Sequence, residues 1–97
     1  MVKHIVTFKL KGSAEERRRY AADFKQALDA LPEEIEVLRA IEVGLNDNPA
    51  EDWDIVLTAT LDKMEDVATY ATHPAHVAAA AIISNVKAAR ACVDYEV

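Results

Sequence analysis

The sequence predicts an α+β fold in which one antiparallel β-sheet carries helices on one of its faces. Three observations indicate this fold. The chain has 97 residues, the length of one ordinary domain. Four segments alternate between apolar and polar residues, which is typical of strands. Two segments with helical periodicity separate them. We therefore expect a single domain that covers residues 1–97.

The first two elements are a strand and a long helix. Residues 1–10 alternate with a period of two, and the two faces of this predicted strand consist of Val2, His4, Val6, Phe8 and Leu10 and of Lys3, Ile5, Thr7 and Lys9. Ser13 and Glu16 have the spacing of a capping box at a helix start. They predict a helix over residues 14–31, which Pro32 ends because the residue before a proline disfavours helical backbone.

Two further strands follow the first helix. Alternation from Ile35 to Val43 predicts the second strand, and Gly44 closes it. The polar segment GLNDNPAED is rich in turn-forming residues and predicts a loop. The run from Trp53 to Leu61, WDIVLTATL, is the most β-prone part of the chain and predicts the third strand.

The last third of the chain predicts two helical segments and a fourth strand. Asp62 can cap a helix that covers residues 63–72, with Glu65 three positions later. A second helical segment is predicted to start near Pro74, because proline suits a first helical turn, where its missing N–H would be unpaired anyway. Residues 91–97 alternate and predict the fourth strand.

The order β-α-β-β-α-β is that of the ferredoxin-like fold, with a four-stranded antiparallel sheet and the helices on one side. The opposite face of the sheet is predicted to mix polar and apolar residues, namely Lys3, Ile5, Thr7, Lys9, Leu38, Val56 and Cys92. Such a face is too apolar to be fully hydrated. We expect a second copy of the chain to cover it, sheet against sheet, which makes the protein a homodimer.

Charge and composition exclude several classes of partner. The formal net charge is −6, so the chain lacks the basic surface that nucleic acids and anionic membranes attract. Cys92 is the only cysteine, which rules out an internal disulfide, and we expect it to be a small strand residue. The N-terminal residues alternate and lack the apolar core of a signal peptide, so a cytoplasmic location is expected.

The segment ATYATHPAHVAAAAI, residues 68–82, holds the candidate chemistry. His76 would lie in the first turn of the helix that starts at Pro74, where the helix dipole disfavours the imidazolium ion. A neutral imidazole can act as a general base, and the hydroxyl of Tyr70 could stabilise a developing oxyanion. The alternative is that His76 only caps or hydrogen-bonds at a helix junction.

The other two histidines have both structural and functional interpretations. His4 lies on the helix-facing side of the first strand, as a pocket residue or as a core residue satisfied by a hydrogen bond. His73 precedes a proline, so its expected role is to end a helix. A metal site would group His73, His76 and His4, with or without a carboxylate, and the sequence favours no metal because Pro74 interrupts the helical face and the chain has only three histidines.

Two motifs carry a resemblance to a known family. The opening strand VKHIVTFKL and the string Y-x-x-H-P-A-H-V, here Tyr70 to Val77, resemble the stress-responsive A/B barrel (Dabb) family over essentially the whole chain. The resemblance implies a homodimer in which two sheets pack into an α+β barrel with the helices outside. A plant polyketide cyclase of that family implies catalytic roles for Tyr70 and His76, and a place in the pocket for His4.

These observations lead to one favoured function and two alternatives. The favoured function is that of a cofactor-free lyase or cyclase that acts on a small hydrophobic or polyketide-like carbonyl compound, with His76 as base, Tyr70 as oxyanion donor and His4 as orienting residue. A non-catalytic protein that binds a small ligand or serves a stress response is the first alternative. The second is a cofactor-independent monooxygenase of the antibiotic-biosynthesis type.

Overall fold

The computed structural model describes residues 1–97 and confirms the ferredoxin-like arrangement. Its elements are β1 (Val2–Leu10), α1 (Ala14–Asp29), β2 (Leu38–Leu45), β3 (Ile55–Leu61), α2 (Glu65–Thr72), α3 (Pro74–Ala81) and β4 (Lys87–Glu96). All strand pairs are antiparallel, and the sheet has the order β2-β3-β1-β4. None of the helices is both long and apolar enough to cross a membrane.

The core lies between the helices and one face of the sheet. Every second residue of β1 is buried there, as the alternation predicted. The largest fully buried side chains of the molecule are Tyr70, Phe24, Leu28, Ile35, Leu61, Ile83, Val2 and Val6. His4 belongs to this buried face, and its cross-strand neighbours are Ala59 on β3 and Asp94 on β4. A polar ring is therefore placed at the edge of an apolar core.

Helix α1 begins as predicted and ends slightly earlier. The Ser13 hydroxyl accepts a hydrogen bond from the Glu16 N–H, and the Glu16 carboxylate accepts one from the Ser13 N–H, which confirms the capping box. The helix ends at Asp29, and Pro32 lies in a 3₁₀ turn, Leu31–Glu33. A proline fits the first turn of that element, where no N–H is needed, so the chain continues in a tighter turn instead of stopping.

Strand β2 corrects the predicted second strand. It begins at Leu38, not at Ile35, and it ends at Leu45. The pairing with β3 shifts between Leu38 and Ala40, so one extra residue reverses the alternation at that point. Leu38 is consequently 3 % exposed and packs in the core, and its predicted place on the outer face of the sheet was wrong.

Strand β4 corrects a second assignment to the outer face. It begins at Lys87, four residues before the predicted start at Ala91. Cys92 is paired with Val6, whose side chain is buried under the helices, so Cys92 lies on the helix-facing side and not on the outer face. Val56 is paired with Thr7 and does lie on the outer face, as predicted.

The start of α2 differs from the prediction, and the start of α3 agrees with it. Helix α2 begins at Glu65 after Met64, with no side-chain cap. Asp62, the predicted cap, instead accepts a hydrogen bond of 2.7 Å from Arg39 across the chain. Helix α3 begins at Pro74, where the missing proline N–H leaves no donor unpaired.

Candidate active site at the junction of two helices

The junction between α2 and α3 positions the candidate site. His73 has extended backbone (φ −62°, ψ 137°), as expected for a residue that precedes proline, and this ends α2. Its ring nitrogen Nδ1 accepts a hydrogen bond of 3.0 Å from the Ala75 N–H and so caps α3. The resulting bend places His76, in the first turn of α3, next to Tyr70, in the last turn of α2.

The three residues selected from the sequence come together in the structure. The ring centroids of Tyr70 and His76 are 4.6 Å apart, and those of His4 and Tyr70 are 5.7 Å apart. Tyr70 lies between the two imidazoles and is fully buried, with 0 % of its surface exposed. His76 is half-buried. The grouping brings two histidines from distant parts of the chain to the same phenol.

Two polar atoms of this group have no hydrogen-bond partner. The hydroxyl of Tyr70 and Nδ1 of His76 are both buried, and no protein group bonds to either of them. Buried polar atoms are nearly always paired, because leaving one unpaired costs about 1–3 kcal/mol. A hydrogen bond between the His76 ring and the backbone of Ala71 still acts on the imidazole, but the cap of α3 is His73.

Burial sets the protonation states of both residues. Burial lowers the pKa of His76 below its ordinary 6.5, a backbone hydrogen bond with Ala71 opposes this shift, and the charges of His4 and Arg90 add to it. The sequence predicted a neutral ring from the helix dipole, whereas the dominant cause in the structure is desolvation. Burial also raises the pKa of Tyr70 to about 12, so its hydroxyl keeps its proton at neutral pH.

His4 has a partner that the sequence did not reveal. Its Nδ1 donates a hydrogen bond to the carboxylate of Asp94, and Sγ of Cys92 lies 3.5 Å from the same nitrogen. Asp94 and Cys92 are two residues apart on β4, so they project on the same side of that strand. Burial, followed by the charge of Asp94, raises the pKa of the Cys92 thiol, which keeps it protonated.

The group of potential metal ligands differs from the one considered from the sequence. One set of ligand atoms, from His4, Cys92 and Asp94, lies within 4.8 Å of one another. That set includes neither His73, whose ring caps α3, nor His76.

Two clefts of about 570 Å³ each lie away from these rings. The first is bounded by Arg17, Asp54 and the loop of residues 46–52 at one end of the sheet. The second lies beside Trp53 and Val56. Neither cleft is lined by Tyr70, His76 or His4.

The fold and the site together define a ferredoxin-like α+β domain with a buried tyrosine between two histidines beneath its short helices. Comparison with known families gives this class a name. The profile of the stress responsive A/B barrel domain (Dabb) matches residues 2–97, and the chain belongs to this family.

Solved structures with the same fold include a dimeric protein of unknown function from Bacteroides fragilis. It is 53% identical, with a TM-score of 0.96 over 99% of this chain and 95% of that chain. A dimeric ferredoxin-like protein of unknown function from Thermobifida fusca is 28% identical, with a TM-score of 0.80 over 99% and 90% of the two chains. No curated protein sequence matches the chain.

An antibiotic biosynthesis monooxygenase shares the fold at 10% identity, with a TM-score of 0.80 over 100% of this chain and 98% of that chain. At that identity the similarity concerns the fold alone.

Proposed function

We propose that the protein is a cofactor-free lyase or cyclase that acts on a small hydrophobic, polyketide-like carbonyl compound. The observation that carries this proposal is the contact between Tyr70 and His76, whose rings are 4.6 Å apart, together with the absence of any protein partner for the Tyr70 hydroxyl and for Nδ1 of His76. An unpaired donor and an unpaired acceptor side by side are suited to a substrate that needs both.

His76 has the properties of a general base. Its lowered pKa keeps the ring neutral at pH 7, and its unpaired Nδ1 has no competing hydrogen bond to a protein group. A carbon flanked by two carbonyl groups carries an acidic proton, which such a nitrogen can accept. The resulting enolate attacks a second carbonyl carbon of the same molecule, forms a carbon–carbon bond and leaves an alkoxide, which takes a proton back to give the hydroxyl.

Tyr70 has the properties of the oxyanion donor. A phenol whose pKa is about 12 remains protonated beside a neutral histidine and can donate its O–H to the developing enolate or alkoxide. Its surroundings exclude water, which strengthens such a hydrogen bond. His4 packs against the Tyr70 ring at 5.7 Å and is itself held by Asp94, so it acts as a positioning residue.

The resemblance noted in the sequence supports the same roles. The string Y-x-x-H-P-A-H-V is similar to that of olivetolic acid cyclase, a plant member of the family that closes a linear polyketide by an aldol condensation. Its catalytic tyrosine and histidine correspond to Tyr70 and His76 of this chain.

The experiment that tests the proposal uses linear poly-β-ketoacyl thioesters and follows cyclic products by mass spectrometry. We expect turnover by the wild type, a loss of about 10²–10⁴-fold in His76→Ala and of about 10²–10³-fold in Tyr70→Phe. The matched control is His73→Asn, which changes the other histidine of the motif and keeps an acceptor that can cap α3. Equal turnover in all four proteins would refute the assignment of roles.

One observation favours a second candidate, a protein that binds a small hydrophobic ligand without chemistry. Tyr70 is 0 % exposed and lines neither of the two clefts, so its hydroxyl is closed to a substrate in this structure. The discriminating test is a thermal-shift screen of hydrophobic carbonyl compounds followed by product analysis. A ligand that raises Tm in the wild type and is recovered unchanged supports binding alone.

We further propose that the chain forms a homodimer through the outer face of its sheet. Three apolar side chains of this face are open in the single chain, with exposed fractions of 40% for Val56, 61% for Val93 and 43% for Tyr95. Ile5 is paired with Val93 across β1 and β4, so these residues form a continuous surface. The structures from Bacteroides fragilis and Thermobifida fusca are described as dimeric.

A further inference from the structure

His4, Cys92 and Asp94 bring three different metal-ligating atoms to one place, where strand β4 lies beside β1. Sγ of Cys92 is 3.5 Å from Nδ1 of His4 and 3.7 Å from Oδ1 of Asp94. Around a tetrahedral zinc ion, with bonds of about 2.0–2.3 Å to nitrogen, oxygen and sulfur, neighbouring ligand atoms are separated by about 3.3–3.6 Å. The distance from sulfur to His4 already has a value that such an ion needs, the distance to Asp94 lies just above the range, and the hydrogen bond between His4 and Asp94 must open to admit an ion.

We propose that these three side chains form a binding site for a divalent cation of the zinc class. The set contains one thiol, one imidazole and one carboxylate, which suits Zn²⁺ or Co²⁺. Mg²⁺ and Ca²⁺ prefer six or more oxygen ligands, and this site offers a single carboxylate. Three protein ligands leave the fourth tetrahedral position open to water or to a small anionic ligand.

The surroundings allow an ion to enter and be held. The His4 side chain is only 7% exposed and is fixed by its contact with the Tyr70 ring, so one ligand is rigid. The Asp94 side chain is 30% exposed and lies on an edge strand, so its carboxylate can swing outward from its hydrogen bond with His4 to admit the ion. On binding, the Cys92 thiol releases its proton to solvent and the His4 ring takes the tautomer with its proton on Nε2, so that Nδ1 and the Asp94 carboxylate can both bind the ion.

The site shares the positioning residue His4 with the proposed cyclase, but the cyclase chemistry itself uses His76 and Tyr70 and draws nothing from an ion. It also lies on the helix-facing side of β4, because Cys92 is paired with Val6 and Asp94 with His4. If two copies of the chain pack through the outer faces of their sheets, the cation site therefore stays accessible. An ion bound there would tie β4 to β1 and fix the orientation of His4 beside Tyr70.

The test is a titration of the tag-free, full-length protein with Co²⁺ and then Zn²⁺. We expect one Co²⁺ per chain with a thiolate-to-cobalt charge-transfer band in the near ultraviolet, and displacement of Co²⁺ by Zn²⁺ but not by excess Mg²⁺. Cys92→Ser should abolish the band, and Asp94→Asn should weaken binding by about 10-fold or more. Both positions are only partly buried or exposed, so these variants should fold.

The control variant is Glu96→Gln, which removes an exposed carboxylate two residues further along the same strand and should bind Co²⁺ as the wild type does. Absence of the charge-transfer band in the wild type, a band that survives Cys92→Ser, or equal competition by Mg²⁺ would each overturn the proposed site. None of these outcomes affects the turnover experiments with His76→Ala and Tyr70→Phe. The cation site and the cyclase activity can therefore be refuted separately.

Discussion

The two parts of the Tyr70 side chain have opposite effects on the stability of the fold. Its ring fills the centre of the helical side of the core, with no exposed surface, and apolar burial of this kind stabilises the fold. Its hydroxyl has no hydrogen-bond partner there and opposes folding. A group that destabilises its own surroundings needs a reason other than stability, and the oxyanion binding that we propose would be such a reason.

The Tyr70→Phe variant separates these two contributions. We expect its free energy of unfolding to be unchanged or higher by up to about 1–3 kcal/mol, because the change deletes only the unpaired hydroxyl. Tyr70→Ala should lose about 3–5 kcal/mol, because it also leaves a cavity. Urea unfolding measures both. A loss of stability in Tyr70→Phe would mean that the hydroxyl has a structural partner.

His76 should make stability depend on pH in one direction. Its pKa in the folded chain is lower than 6.5, so as the pH falls the unfolded chain binds the proton first. We therefore expect the free energy of unfolding to decrease as the pH drops below about 6.5 and to level off once the pH is below the folded pKa.

The check compares urea unfolding of the wild type and His76→Asn above and below that pH, with the His76 ring titration followed by NMR. The variant should lose part of the pH dependence. A His76 ring that titrates above 6.5 would contradict this expectation.

At this scale part of the candidate site could be selected from the sequence. His4, Tyr70 and His76 could be selected because the opening strand and the H-P-A-H motif are visible as residue patterns. Asp94 could not, because its contact with His4 depends on the register between β1 and β4, two strands at opposite ends of the chain. Alternation shows which residues share a face of one strand and does not show which residues of another strand they meet.

The break between α2 and α3 is the element on which the site depends. A continuous helix would keep Tyr70 and His76, six positions apart, well separated along its axis. Pro74 instead forces His73 into extended backbone, and the chain starts a new helix with the His73 ring as its cap. The His73-Pro74 step thus brings the rings of Tyr70 and His76 into contact.

Substitutions at His73 test this structural role. We expect His73→Ala to lower the free energy of unfolding by about 1 kcal/mol, because the Ala75 N–H loses its acceptor. His73→Asn should restore most of that loss, because asparagine is a favourable N-cap residue. Thermal or urea unfolding gives the values. A catalytic or ligand-binding role for His73 would be indicated if His73→Asn kept its stability and lost all turnover.

The elements themselves were predictable where a local signal exists. The capping box of α1, the alternation of β1 and the proline at the start of α3 each depend on residues close together in the chain. The failures have non-local causes. One extra residue in β2 reversed the face of Leu38, and the first part of β4, KAAR, lacks β-prone residues and becomes a strand through its pairing with β1.

For the whole molecule, the sheet has one face covered by helices and one face open. The open face displays Val56, Val93 and Tyr95 beside the half-buried residues Ile5 and Thr7. In a monomer, the solvent-facing side of an antiparallel sheet is expected to carry mainly polar side chains. A twofold axis through this face would bring the same apolar residues of two chains together. The candidate active site and the His4–Cys92–Asp94 group would remain on the helical side of each chain.

Replacing one apolar residue of the open face by a carboxylate should separate the chains. We expect the wild type to sediment as a dimer and Val93→Glu as a monomer, because dimerisation would bury an unpaired charge from each chain. The matched control is Val77→Glu on α3, where a valine of similar exposure, 56% against 61%, lies on the helical side and should leave the dimer intact. Sedimentation velocity at micromolar concentration distinguishes the species, and circular dichroism verifies that both variants are folded. If Val93→Glu stays dimeric while Val77→Glu dissociates, the helices and not the open sheet face form the interface, and access to Tyr70 and His76 would then be controlled by the partner chain.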